Sequence, residues 1–187
     1  MPLRIIAGQF GGRRLNFPEA GGVRPTGNRV RETLFNWLGD EVVSARVLDL
    51  FAGTGALGIE ALSRGGAFAV FVERSGRLAG ALQQNLTTLG IAEARVQRRD
   101  AERYLGGSPE PFDIVFLDPP FNSAIIGSIC GRLETGGWLA PGGLVYIEYD
   151  GRAGRPPVPA AWDVVREKDA GGVGFALARR NEVNAGS

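Results

Sequence analysis

From residue 46 onward the chain alternates short apolar runs with stretches of helical spacing: RVLDLF, ALGIEALSRG, AFAVFVE, SGRLAGALQQNLTTLG, ARVQRRD, FDIVFLD and GLVYIEY. No other feature narrows the fold as much. A strand that is apolar along its whole length has to be covered on both faces, and successive parallel strands need a crossover that a helix supplies in the right-handed sense. The expected architecture is α/β with a mostly parallel sheet. After residue 150 a Pro-rich connection (Pro156, Pro157, Pro159) leads to WDVVREK and GFALARR, joined by Asp169-Ala170-Gly171-Gly172. That tight glycine link predicts an antiparallel hairpin closing one edge of the sheet.

Ahead of the alternation, Ile5 and Ile6, the glycines Gly8, Gly11 and Gly12, and Arg13-Arg14-Leu15 suggest a short β-hairpin. A first helix is expected after Pro25, with Val30, Leu34, Trp37 and Leu38 on one face and Thr26 or Asn28 placed to cap its start. We expect one domain over residues 1–187: a basic hairpin extension (1–24), a core (25–180) and a loose tail (181–187). No segment reaches the ~18 apolar residues of a membrane span, and MPLRIIAGQFGG has no apolar stretch followed by a cleavage site, so the expected location is cytoplasmic.

Composition removes several chemistries. The chain has no histidine and one cysteine, Cys130. A Ser-His-Asp triad, a histidine metal site, a histidine proton shuttle and an internal disulfide are all excluded, and no metal is expected. The near-zero net charge hides an uneven distribution: residues 1–32 carry +4, residues 33–150 carry −5 and residues 151–187 carry +2.

The segment Val47-Leu-Asp49-Leu-Phe51-Ala-Gly53-Thr-Gly55-Ala-Leu-Gly58 reads as a buried strand, a glycine turn and a helix start, and Glu73 ends the next strand 20 residues after Gly53. Those glycines with Glu73 would suit a dinucleotide. Asp49 argues against it, because a carboxylate just ahead of the glycines repels a pyrophosphate. It suits S-adenosylmethionine, which carries an ammonium group, a cationic sulfur and a ribose diol but no phosphate. In that reading the glycine backbone approaches the ligand, Asp49 faces its positive end, Glu73 accepts the ribose hydroxyls and Asp100, in QRRDA, receives the adenine amine. Phe51 and Ala101 complete the cofactor set.

The fourth strand of the series, Phe112 to Leu117, runs into Asp118-Pro119-Pro120-Phe121. Two prolines fix the backbone and remove two N–H donors, leaving the Asp118 carboxylate and the Pro119 carbonyl as acceptors. Two acceptors beside an aromatic ring match a flat base presenting an exocyclic NH2: the acceptors hold the amine and Phe121 stacks the base. Methyl transfer to that nitrogen is then an in-line displacement governed by positioning, which needs no histidine.

Asp49 to Gly58, Glu73 and DPPF resemble the class I methyltransferases that modify exocyclic amines. More narrowly, IIAGQFGGRRL, RPTGNRVRETLFNWL, LDLFAGTGALGIEALSRG, FLDPPF and REKDAGGVGFAL resemble the bacterial 16S ribosomal RNA guanine-N2 methyltransferase family, small-subunit methyltransferase D. The resemblance implies a Rossmann-like sheet of seven strands. It also implies transfer from S-adenosylmethionine to N2 of one guanine in 16S ribosomal RNA, in an assembled or partly assembled 30S particle. Gly27-Asn28 and Asp169 depart from the family pattern without touching a proposed catalytic atom.

RNA contacts are expected from Arg4, Arg13, Arg14, Arg24, Arg29 and Arg31, with Lys168 and Arg166 returning near the end to flank the pocket. Phe10 and Asn122 are candidate base-side neighbours. Cys130, in SICGRL, reads as a core residue, and nothing calls for an oligomer. The remaining alternatives are a DNA adenine-N6 or cytosine-N4 methyltransferase, which shares DPPF, and an NAD-binding oxidoreductase.

Overall fold

A computed structural model describes residues 3–18, 27–119 and 124–182. Its element order is β1 (Leu3–Arg4), β2 (Arg14–Leu15), α1 (Asn28–Leu38), β3 (Arg46–Asp49), α2 (Ala56–Ser63), β4 (Phe68–Val72), α3 (Gly76–Leu89) and β5 (Ala94–Gln97). There follow α4 (Ala101–Leu105), β6 (Phe112–Leu117), α5 (Ala124–Thr135), β7 (Leu139–Asp150), β8 (Trp162–Ala170) and β9 (Val173–Arg180). A two-stranded antiparallel sheet pairs β1 with β2, and a seven-stranded sheet runs β5-β4-β3-β6-β7-β9-β8. The five strands from β5 to β7 are parallel, while β9 lies antiparallel between β7 and β8. This is the mostly parallel α/β sheet that the sequence pattern predicts, with the hairpin at one end, and its seven strands are those of the Rossmann-like sheet that the resemblance implies.

The order reverses at β3: the chain first builds outward through β4 and β5, then crosses back to β6 on the other side of β3. In doubly wound sheets the ends of the central strands at such a reversal open a crevice for ligand. Alternation along each strand feeds two cores. Val47, Phe71, Ile114, Phe116 and Tyr146 meet α1, α2 and α3, whereas Leu48, Val70, Val115, Leu117 and Ile147 meet α4 and α5. Each fully buried Leu, Val or Phe contributes about 1.5–3 kcal/mol, and this continuous burial holds the strand ends in place.

Three local expectations need correction. Helix α1 is capped by the backbone of Gly27 with no side-chain cap hydrogen bond, and Asn28 lies inside the first turn, where its Oδ1 accepts from the Arg31 guanidinium at 2.7 Å. Thr26 lies outside the described residues. Strand β5 covers only Ala94–Gln97 of the ARVQRRD run expected as a strand, so Asp100 at the end of that run caps α4 instead. Strand β7 begins at Leu139, earlier than GLVYIEY, with an irregular register against β6 between Phe112 and Ile114. The C-terminal hairpin turns through Gly171 and Gly172 with φ of +62° and +86°, which suits the primed turns of tight hairpins. No helix among the described residues is long and apolar enough to cross a membrane.

Candidate active site

The site is built where β3, β4 and β6 end side by side. Asp49 is the last residue of β3 and lies level with Phe71 of β4 and Phe116 of β6. Glu73 follows β4 by one residue and Asp118 follows β6 by one, so parallel pairing alone gathers three carboxylates that are 24 and 45 residues apart in sequence. Between β3 and α2 the glycine loop is tied to β4 by Ala52 N–H donating to the Val72 carbonyl at 2.9 Å, and it turns through Gly55 N–H to the Ala52 carbonyl at 2.7 Å. Gly55 caps α2 at φ +77°, and a Cβ there would overlap the Leu82 side chain. Gly58 brings α2 so close to β4 that any side chain would strike the Phe71 ring.

Two of the acids hold this loop. The Asp49 Oδ2 accepts from Gly58 N–H at 3.0 Å, and Glu73 accepts from Gly53 N–H at 2.9 Å through Oε2 and from Ser75 N–H at 2.7 Å through Oε1. Each carboxylate oxygen has a second lone pair, so Glu73 keeps acceptor capacity beyond these bonds. Asp49 is buried, and burial is the main cause of a pKa raised from 3.8 to about 7. The neighbouring carboxylates of Asp118 and Glu73 add to the rise, and the Gly58 N–H opposes it. A buried carboxyl among two like charges, facing a glycine loop, is an environment that a cationic ligand relieves.

Of the other residues expected here, Phe51 is half-buried against the α4–α5 core and Ala101 is buried in the first turn of α4. Asp100 caps α4, its Oδ1 accepting from Glu102 N–H at 2.9 Å and Arg103 N–H at 3.4 Å. Pro119 is half-buried beside Asp118. Pro120, Phe121, Asn122 and Arg24 lie outside the described residues. Cys130 is fully buried on α5, and burial pushes its thiol up to about 12, so it is no nucleophile.

The sequence model of a family described as conserved hypothetical protein 95 matches residues 3–179. Ribosomal RNA small subunit methyltransferase D of Escherichia coli is 47% identical over 178 residues, spanning 95% of this chain and 90% of that protein. Its Haemophilus influenzae counterpart is 39% identical, spanning 94% and 92%. The chain belongs to the small-subunit methyltransferase D family. The solved structure of yhhF from Escherichia coli, 44% identical, superposes with a TM-score of 0.92, spanning 98% of this chain and 100% of that one.

Within this family member the expected arginines scatter. Arg31 is fully buried, donating to the Arg4 carbonyl at 2.9 Å and lying 3.8 Å from the Glu60 carboxylate, so as folded it reaches no phosphate and its assignment to RNA is corrected. Arg13 is exposed but donates to the Thr88 carbonyl at the end of α3 far from the glycine loop. Arg4, Arg14 and Arg29 are exposed, as are Arg166 and Lys168 on β8. Phe10 packs against the core, with its N–H on Ser63 Oγ at 3.0 Å.

Two features of this family member escaped sequence reasoning. Glu60, wholly buried on α2, accepts from Ile6 N–H at 2.7 Å, Ala7 N–H at 3.0 Å and Arg64 Nε at 2.8 Å, clamping the N-terminal hairpin. The signal was present: an acid amid ALGIEALS, an otherwise apolar helix, must have partners. Near the site edge, the Tyr146 hydroxyl donates to Glu148 at 2.9 Å and lies within electrostatic reach of Asp118.

Proposed function

We propose that this protein transfers a methyl group from S-adenosylmethionine to the exocyclic N2 amine of a guanine in 16S ribosomal RNA, of the guanine-966 type, within an assembled or partly assembled 30S particle. The observation that carries the proposal is the convergence of Asp49, Glu73 and Asp118 at three adjacent strand ends around a glycine loop. Relatives named as small-subunit ribosomal RNA methyltransferases support the substrate class, and the Asp-Pro-Pro-Phe run supports the amine as target.

The residues suit the cofactor. The raised pKa of Asp49 marks a place where positive charge is favoured, and Glu73, already holding the Gly53 N–H, has lone pairs left for a diol. When bound, S-adenosylmethionine supplies a methyl group on a cationic sulfur. The chain itself orients the acceptor: the Asp118 carboxylate and Pro119 carbonyl take the two amine hydrogens and turn the nitrogen lone pair toward the methyl carbon, while Phe121 stacks on the base. As the N–C bond forms, the methyl–sulfur bond breaks and its electron pair stays on sulfur, which would leave as a neutral thioether; the amine becomes acidic, and Asp118 would accept its proton. Positioning of this kind supplies most of the rate, so it depends on geometry more than on a strong base.

The test is methyl transfer from labelled S-adenosylmethionine to naked 16S RNA, unmodified 30S particles and duplex DNA, with the products digested to nucleosides. N2-methylguanosine from RNA or particles is the expected product; label in adenine or cytosine of DNA would overturn the substrate. Asp118→Ala should lose at least about 100-fold in turnover while still binding cofactor.

A further inference from the structure

The arginines that border the site edge are not those of the N-terminal hairpin. The hairpin is fixed at the opposite edge of the sheet, with Gln9 N–H on the Ser63 carbonyl at the end of α2 and Arg13 on Thr88 near the end of α3. Helix α3 starts at Gly76, three residues past Glu73, and its 14 residues span about 21 Å at 1.5 Å per residue. Arg13 is thus a helix length from the reacting edge.

Five other arginines follow the carboxyl ends of β4 and β5. Arg74 lies after β4, Arg77 in the first turn of α3, Arg98 and Arg99 after β5, and Arg103 on α4; all five are exposed. The Arg98 guanidinium lies over Gly76, its Cζ only 2.6 Å from where a Cβ would stand, and Gly76 adjoins Arg77 and lies two residues from Arg74. The first turn of α3 has no acidic side chain, so the positive end of its dipole adds to the charge. Seven described arginines hold a carboxylate within 4.0 Å, and none of these five does. The acids in the same loops are Glu73, Asp100 and Glu102, and the first two are committed to backbone N–H groups. Guanidinium groups without a carboxylate partner at neighbouring strand ends favour an anion, and their fork suits phosphate.

We infer that Arg74, Arg77, Arg98, Arg99 and Arg103 form a rim that binds the phosphate backbone of RNA beside the site. This rests on the proposed RNA substrate. Strand β4 is two places from β6, about 10 Å at 4.8 Å per strand, so nucleotides next to a base held at Asp118 pass over the rim.

The test compares wild type with the triple variant Arg74→Gln, Arg77→Gln, Arg99→Gln and with the matching triple Lys variant. Binding to a fluorescent fragment of 16S RNA is measured across a salt series, with S-adenosylmethionine affinity measured in parallel. The Gln variant should bind RNA at least about tenfold more weakly, and its plot of log K against log salt should be shallower by about 2, since each phosphate neutralised by a cation adds about 0.7–0.9 to the slope. Its cofactor affinity should stay within about twofold, and the Lys variant should keep the wild-type slope. An unchanged slope and affinity in the Gln variant overturns the rim. Methyl transfer by wild type together with an unchanged slope in the variant sinks the rim alone. A wild type that holds RNA through the rim but methylates none sinks the proposed reaction alone.

Discussion

Helix α2 has a buried carboxylate near each end, and the two are treated in opposite ways. Glu60, toward the hairpin, is surrounded by donors: two backbone N–H groups, the Arg64 guanidinium and, at 3.8 Å, that of Arg31. Asp49, under the glycine loop, has one hydrogen bond among the described residues, from Gly58 N–H, and its nearest charges are other carboxylates. A buried charge with cations around it is finished structure. One with like charges around it is costly until something positive arrives, and the cost appears as a pKa near 7. The fold therefore satisfies one end of α2 internally and leaves a carboxylate unrelieved at the other, where we propose that the cationic ligand binds.

The largest effect should come from the satisfied end. Glu60→Ala strands Arg31 in the core and removes the acceptor for Ile6 and Ala7, so urea unfolding should show a loss of about 3–5 kcal/mol. A loss below about 1 kcal/mol would erase the distinction between the two ends.

At the other end the sign reverses. The folded pKa of Asp49 lies above its ordinary 3.8, so its contribution is fully present below about pH 4 and is lost as pH rises through about 7. Roughly three pKa units correspond to on the order of 4 kcal/mol. Thermal melts from pH 4 to 8 should show this decline in wild type, and Asp49→Asn should flatten it. A cation binding beside Asp49 expels its proton, so S-adenosylmethionine affinity should rise toward pH 7 in wild type more than in the Asn variant. Equal pH profiles in the two proteins would show that Asp49 does not face the ligand's charge.

Gly55→Ala separates loop shape from charge. The residue sits at φ +77° with Leu82 against it, so about 1–3 kcal/mol of stability should be lost together with cofactor affinity, measured by unfolding and calorimetry. Smallest of all, Arg64→Met removes a partner of Glu60 that is partly exposed, and the loss should stay at or under about 1 kcal/mol. A greater loss would make Arg64, rather than Arg31, the main support of Glu60.

Much of this molecule was legible because the signals were local. Uninterrupted apolar runs between helical stretches required a covered parallel sheet, Gly171-Gly172 required a tight hairpin, and the Asp after a buried strand marked the edge where three carboxylates come together. Asp49, Glu73 and Asp118 could be named in advance because each ends or follows a strand of that series. Their joint effect on the Asp49 pKa could not, since it depends on how close β3, β4 and β6 bring them.

Arginine was the least readable residue. In sequence Arg31 looks like its neighbour Arg29, yet α1 turns one into the core toward Glu60 and leaves the other in solvent. Arg74 and Arg99 stand 25 residues apart and share a rim only because β4 pairs with β5. The sequence by itself determined the order of elements, the glycine turn and the acids at the strand ends, because strand period, helix period and turn chemistry act over a few residues. Which charges are buried and paired, and which are left facing outward beside the site, was decided by tertiary structure, because desolvation and Coulomb energy depend on distances that exist only once the sheet has assembled.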